Sequence, residues 1–309
     1  MRGSRYRSLA FLAVLAIVGA ACDDDGSTAD PGAGDTGNPV PTEDTVCASA
    51  DTSAGDLLAK VCESGTLRVA SDPKYPPQSK FNAATGEWEG FDVAVAEEIA
   101  SRMGLELEFV TPNWGVITAG NWSDRWDLSV GSMTSLPERA EVLNFTPAYY
   151  FVPAALAVHE SSTLTSPEEL SGQKVGSCTG CTYEEYLNGT LELPGYTFDF
   201  QISDAQVVGY DTDSTGLEDL ALGDCVRICA MFTSKTTIEG AIEAGAPIKF
   251  LAEDLYLEPD SIAIDKAASA DPQAFTDEVS ALVEEMHADG TLSDLSTEWF
   301  GEDLTQAPA

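Results

Sequence analysis

The sequence predicts an α/β protein with mostly parallel sheets. Two observations carry this. Short strand-like runs alternate with helix-like runs along most of the chain, and the helix-like runs place their apolar residues at helical spacing. The elements follow in order. Thr66-Leu67-Arg68-Val69-Ala70 reads as a strand. Asp92 stands where a helix N-cap belongs, with Val93, Ala96, Ile99, Ala100 and Met103 as the apolar face behind it and Gly104 as the stop. Leu105 to Val110 alternates as a second strand, and Asp127 to Val130 and Ala154 to Val158 read as further strands. Lys174 to Ser177 opens a new strand–helix series, with Tyr183 to Leu187 helical. Val226 to Phe232 and Ser261 to Ile264 are the late strands. Phe275, Val279, Leu282, Val283 and Met286 mark a C-terminal amphipathic helix, stopped by Gly290. No internal repeat is visible.

The 309 residues suffice for one large or two ordinary domains, and a hydrophobic content of 43% can fill a core. The formal net charge of −37 argues against nucleic acid or an acidic membrane surface as a partner. Such an excess of acid reads as a solvated surface, suited to high salt.

The N-terminus reads as an export signal over residues 1–21. Arg2, Arg5 and Arg7 precede an apolar run from Leu9 to Ala21, which is shorter than the ~20 residues needed to span a bilayer. The run ends Gly19-Ala20-Ala21-Cys22, which resembles the lipobox of bacterial lipoproteins, although Gly19 stands where leucine is usual. The resemblance implies cleavage before Cys22 and lipidation of its thiol. Residues 23–46 are rich in Asp, Gly, Ser, Thr and Pro and cannot bury a core, so the stretch 22–46 reads as a tether.

Of seven cysteines, one is assigned to lipid and six remain for pairing in an oxidising compartment. Sequence leaves many connectivities open. The expected set is the local one, Cys47–Cys62, Cys178–Cys181 and Cys225–Cys229, each closing a small loop.

A run of ordered motifs resembles the family-3 solute-binding proteins, the polar amino-acid binding components of ABC importers. The run opens with Leu67-Arg68-Val69-Ala70-Ser71-Asp72-Pro73-Lys74-Tyr75-Pro76-Pro77, followed by Gly90-Phe91-Asp92-Val93. The central signature is Asp127 to Thr134, then Pro137-Glu138-Arg139, then Phe145-Thr146-Pro147-Ala148-Tyr149-Tyr150. Gly172 to Gly176 and Thr182 to Leu187 resemble the start of the family's second lobe. Glu258-Pro259 through Ile264, Asp289-Gly290-Thr291-Leu292 and Trp299-Phe300-Gly301 resemble the return and the end. The resemblance implies a two-lobed periplasmic-binding-protein-like fold (type II), with a ligand cleft between lobes joined by two hinge strands. Residues 47–155 and 257–303 would form lobe 1, residues 156–256 lobe 2, and residues 304–309 a tail.

The resemblance also implies a site. Arg139 matches the clamp on the ligand carboxylate, a task suited to a guanidinium fork and not to lysine. With 15 Lys and Arg in the chain, a cation inside this signature stands out. Ser132 and Thr134 match positions that offer backbone and hydroxyl hydrogen bonds to the ligand head group. Tyr75 and Trp114 match aromatics that sandwich its side chain. Asp72 matches a position that meets a polar or basic side chain; its other reading is a strand-end cap. Gln78 stands where the family often has an aromatic.

In the second lobe, Gly180, Cys181 and Thr182 match the turn whose N–H groups and hydroxyl reach the carboxylate at a helix N-terminus. Ser234 stands where the family has the aspartate that takes the ligand ammonium. Either another acid, Asp72 or one near Asp211 and Asp213, supplies that charge, or the ligand lacks an α-amine.

The expected function is therefore capture of a small, amino-acid-like carboxylate and its delivery to an ABC transporter permease. The chain is expected to be a monomer that meets the membrane through its lipid alone, without cofactor or metal. A zinc site on Cys178, Cys181, Cys225 and Cys229 is disfavoured, because Cys229 is expected mid-strand, about 15 Å from the cleft end. His159 and His287 are the two histidines, and neither lies in a catalytic pattern; His287 is expected at the surface. Two alternatives stay open: an extracytoplasmic solute sensor with the same pocket, and a thiol–disulfide enzyme built on Cys178 and Cys181.

Overall fold

The computed structural model describes residues 45–307. The signal segment, Cys22 and nearly all of the tether lie outside the described residues. A short helix α1 (Val46–Ser49) precedes α2 (Leu57–Ser64), and the disulfide Cys47–Cys62 ties them together. Asp56 caps α2 by accepting the Ala59 N–H at 2.8 Å, and Gly65 ends it in the left-handed region. β1 (Thr66–Ala70) follows, then a small antiparallel sheet of β2 (Lys74–Tyr75), β3 (Ser79–Asn82) and β4 (Glu87–Glu89).

Helix α3 (Phe91–Met103) starts two residues earlier than expected, because Gly90 and not Asp92 is its N-cap. A Cβ on Gly90 would lie 2.3 Å from the Gln78 carbonyl oxygen at a φ of 131°, so only glycine fits there. Asp92 is thereby carried into the first turn and fully buried. The expected apolar face of α3 packs as read: Val93, Ala96, Ile99, Ala100 and Met103 are all buried, Ile99 and Met103 each contributing about 1.5–3 kcal/mol, and Phe91 is buried with them. β5 (Glu106–Val110) pairs parallel with β1. After α4 (Trp114–Thr118), β6 (Leu128–Thr134) pairs parallel with β1 on its other side, and α5 (Pro137–Ala140) follows directly.

The 17-residue β7 (Leu143–His159) then leaves the first lobe for the second. There β8 (Lys174–Cys178), α6 (Thr182–Leu187), β9 (Gln206–Tyr210), α7 (Asp213–Leu220), β10 (Ala230–Ser234), α8 (Lys235–Glu243) and β11 (Ile248–Ala252) continue the alternation. β8 lies parallel between β9 and β10. The chain returns on β12 (Leu257–Asp265) and ends with α9 (Gln273–Ala288) and α10 (Thr291–Phe300). Gly290 is the left-handed junction between these last two helices.

The large sheet runs β5-β1-β6-β12-β7-β10-β8-β9, with β11 also on β7. Its parallel pairs lie within the lobes, whereas β7 and β12, the two strands shared between lobes, are antiparallel to their neighbours. The lower half of β7 pairs with β12, and its upper half with β10 and β11. The core follows the same division. Val152 packs with Phe91, Ile99, Val279 and Met286, and Ala154 packs with Val175, Tyr186 and Phe232. This is the two-lobed type II architecture.

Two expectations about the strands fail. The sheets are not mostly parallel: among the described residues four strand pairs are parallel and six antiparallel, because the shared strands β7 and β12 and the small sheet are antiparallel. The strand expected over Val226 to Phe232 is also shorter. Val226 is 65% exposed, and the strand begins only at Ala230. The reason is the disulfide Cys225–Cys229, whose Cα atoms lie 4.0 Å apart. Residues four apart in a strand would be separated by about 13 Å. The pair requires a turn, and Cys229 sits at the strand's entrance instead of in its middle. The other two expected pairs, Cys47–Cys62 and Cys178–Cys181, are also formed. His287 is half-buried, with Nε2 2.8 Å from the Ala148 carbonyl oxygen, instead of lying at the surface. Among the described residues no helix is long and apolar enough to cross a membrane.

Candidate ligand-binding site

A cavity of about 60 Å³ lies between the lobes, with Asp72, Tyr75, Trp114 and Arg139 on one side and Cys178, Cys181, Thr182 and Asp213 on the other. At ~10–15 Å³ per water, that is room for a few water-sized groups. The lobes touch around it. Gln78 Nε2 donates to Ser234 Oγ at 3.1 Å and to Thr236 Oγ1 at 2.7 Å, and Ser214 Oγ donates to the Lys74 carbonyl at 2.7 Å.

Pro137 starts α5 immediately beyond β6, and this places Arg139 at the floor of the cavity. Arg139 is 5% exposed. Its Nη1 donates to the Thr134 carbonyl and its Nη2 to the Gly180 carbonyl, each at 3.0 Å, and the guanidinium lies 5.3 Å from the centre of the Trp114 ring. Among the described residues no carboxylate forms an ion pair with it. Burial pushes its pKa down, against the pull of more distant acids. A buried cation with spare donors and no carboxylate in ion-pair contact is the strongest feature of the site, since burying an unpaired charge is costly.

The turn opposite is stapled by Cys178–Cys181. It holds Gly180 at a φ of 75°, a left-handed conformation suited to glycine. The Gly180 carbonyl accepts from both Arg139 and Trp114 Nε1, the latter at 3.1 Å. The Gly180 N–H is not available to a ligand, because it donates to Glu184 Oε2 at 2.6 Å. The N–H groups of Thr182 and Tyr183, in the first turn of α6, have no acceptor within that helix and border the cavity.

Ser132, Thr134 and Thr182 all line the cavity, but their hydroxyls are engaged within the protein. Ser132 Oγ donates to Asp92 Oδ2 at 2.8 Å, and its N–H donates to the Tyr149 hydroxyl at 2.9 Å. Thr134 Oγ1 bridges Glu258 and Asp260 at 3.1 Å each, and Thr182 Oγ1 donates to Glu258. The reason is a cluster of buried acids that need donors more than a ligand does. Tyr149 also donates to Asp92 at 2.6 Å. Burial raises the pKa of Asp92 to about 7 and that of Asp260 well above the usual carboxylate range. The sequence reading missed this cluster; Asp92 had been placed as a cap, and Glu258 and Asp260 had been noted as motif letters alone.

Ser234 does not line the cavity. It caps α8, accepting from Thr237 N at 3.2 Å and donating to Thr237 Oγ1 at 2.7 Å, with Gln78 and Tyr75 between it and the cleft. Two carboxylates of the second lobe line the cavity, Asp211 and Asp213; Asp211 is exposed, and Asp213, the first residue of α7, is the buried one. It is 6% exposed, and its Oδ1 is buried without a hydrogen-bond partner. Burial, and then the neighbouring charges of Asp72 and Glu258, oppose its ionisation and raise its pKa to about 7. Asp72 is also raised by burial, although its Oδ1 accepts the Lys74 N–H at 2.7 Å. Lys235 points elsewhere, to Glu239, Glu253 and Glu302.

Two α/β lobes, two shared strands and a charged cavity between them define a solute-binding protein of the type II class. The chain belongs to the bacterial extracellular solute-binding proteins, family 3, which match residues 67–302. The L-cystine-binding protein TcyJ of Escherichia coli is 29% identical over 253 residues, covering 81% of this chain and 88% of that protein. The L-arginine-binding protein of Pseudomonas aeruginosa is 24% identical over 247 residues, covering 77% and 89%. Among solved structures, an ancestral arginine-binding protein bound to arginine is 27% identical, with a TM-score of 0.65 over 77% of this chain and 99% of that one. A mutant of ArgBP from T. maritima, 22% identical, shares the fold with a TM-score of 0.67 over 80% of this chain and all of that one.

Proposed function

We propose that this chain is a lipid-anchored, extracytoplasmic solute-binding protein that captures a small amino acid or close derivative and delivers it to the permease of an ABC importer. Arg139 carries the reading: a buried guanidinium faces the cavity with no carboxylate of its own, and a ligand carboxylate is the natural counter-charge. The relatives that bind cystine and arginine support an amino-acid ligand. The lipobox-like end of the signal, with Cys22 as the acylated residue, supports the anchor. On this reading the lobes meet near residues 155 and 257 and swing about β7 and β12 as the ligand is enclosed. Globomycin-sensitive processing of the precursor, labelling with a fatty-acid analogue that is lost in Cys22→Ala, and co-purification with a permease would test anchor and partner. A full-length, unlabelled mature chain released freely from cells would refute the anchor.

A further inference from the structure

We propose that Asp213, with Asp72 across the cavity from it, is the cation-selecting end of the site, so that the cleft closes stably only around a ligand that carries an ammonium group. This rests on the proposed function and narrows its ligand to amine-bearing carboxylates.

The two acids come from different lobes. Asp72 follows β1, and Asp213 begins α7; both line the cavity. Ser214, next in chain to Asp213, grips the Lys74 carbonyl, so α7 is docked onto the opposite lobe at this point. The groups acting on Asp213 are Asp72, Glu258 from β12 and the Thr233 hydroxyl from β10, and the Tyr75 ring lies close enough to feel its charge. None is a cation, and among the described residues no lysine or arginine forms an ion pair with Asp213 or Asp72. The orphaned Oδ1 of Asp213 therefore points to a donor that the ligand brings.

Closure without a cation crowds Asp72 and Asp213 into a small, desolvated space that Asp211 and Glu258 also line, and this opposes closure while the acids are ionised. An ammonium group between Asp72 and Asp213 removes that restriction and lets Asp213 stay ionised as the lobes close. An amine-free carboxylate satisfies Arg139 and leaves the acidic end unpaired, which selects against it.

The test is isothermal titration of the mature chain with the proteinogenic L-amino acids and L-cystine, then with the α-deaminated analogue of each binder. The expectation is that deamination weakens binding about 30-fold or more, and that Asp213→Asn weakens the amino acid by a similar factor while leaving the deaminated analogue unharmed. Asp72→Asn is expected to give a smaller loss. Because a variant can fail for reasons of folding, the comparison of each amino acid with its deaminated analogue on the wild type carries the test by itself. Equal binding of an amino acid and its deaminated partner, or undiminished amino-acid affinity in folded Asp213→Asn, overturns the inference and leaves the proposed function standing. If no compound binds the wild type, both fall.

Discussion

Arg139 and Gly180 face each other across the cleft, joined by a 3.0 Å hydrogen bond from guanidinium Nη2 to the backbone carbonyl. The same carbonyl accepts from Trp114. One backbone oxygen of the second lobe thus ties the expected carboxylate clamp and the expected aromatic wall of the first. The arrangement makes closure and clamp geometry one event, and several outcomes follow from it.

Trp114→Phe removes the indole donor and keeps an aromatic face. One ordinary hydrogen bond contributes about 0.5–1.5 kcal/mol. The expected result is ligand affinity lowered by roughly two- to tenfold, with Trp114→Ala clearly worse. Affinity unchanged in Trp114→Phe would show that the 3.1 Å contact to Gly180 does not hold the closed state.

The stapled turn makes a different prediction. Cys178 is buried and both cysteines border the cavity, so the disulfide's role is to hold Gly180 in place. The Cys178→Ser, Cys181→Ser double variant should retain binding with a few-fold weaker affinity. It should retain transport, measured as solute uptake in cells. Loss of all biological activity with ligand binding intact would instead favour the thiol–disulfide reading.

Glu258 joins the lobes through the hydroxyls of Thr134 and Thr182. Glu258→Ala leaves the Thr182 hydroxyl without its acceptor, at a cost of about 1–3 kcal/mol for a buried group so orphaned, while Thr134 keeps Asp260. The melting temperature should fall, and Glu258→Gln, which keeps an acceptor, should fall less. Equal melting of the two variants would mean that the carboxylate's packing and not its hydrogen bonds matters.

The buried acids set the pH dependence. Asp92 has its pKa raised by burial to about 7, above its unfolded value, so the folded state binds its proton more tightly. Stability from this group is fully present below the unfolded pKa and is lost as pH rises through the folded one. Asp213 and Asp260 act in the same direction. The ligand-free protein should therefore melt at a higher temperature at pH 5 than at pH 8, and Asp92→Asn should flatten the slope. For Asp92 the change between pH 5 and pH 8 is roughly 3 kcal/mol, about two pKa units at about 1.4 kcal/mol each. A melting temperature that rises steadily from pH 5 to pH 8 would contradict this.

Periodicity revealed much of the fold. The strand Thr66–Ala70 and the apolar faces of the helices beginning at Phe91 and Gln273 are local patterns, and they folded as read. Arg139 and Trp114 were legible through their motif surroundings, and both line the cavity. What stayed hidden depends on who meets whom. Ser132 and Thr134 carry the right chemistry, but their hydroxyls serve Asp92, Glu258 and Asp260, which are distant in sequence. The stretch near Asp211 and Asp213 was legible as one source of the acid that Ser234 lacks, but in a chain with 52 acids nothing local marked Asp213 as the one to be buried without a partner. The Cys225–Cys229 turn hid within an apolar run that resembles a strand.

The central claim is that this cleft captures a carboxylate-bearing solute on Arg139. Its most direct test is calorimetric titration of wild type and Arg139→Ala with the amino-acid panel. Wild type should bind at least one member, and the variant should lose about 2–5 kcal/mol of that affinity, a factor of roughly 30 to several thousand, while its melting temperature without ligand holds or rises. Undiminished affinity in Arg139→Ala, with the variant folded, would contradict the account.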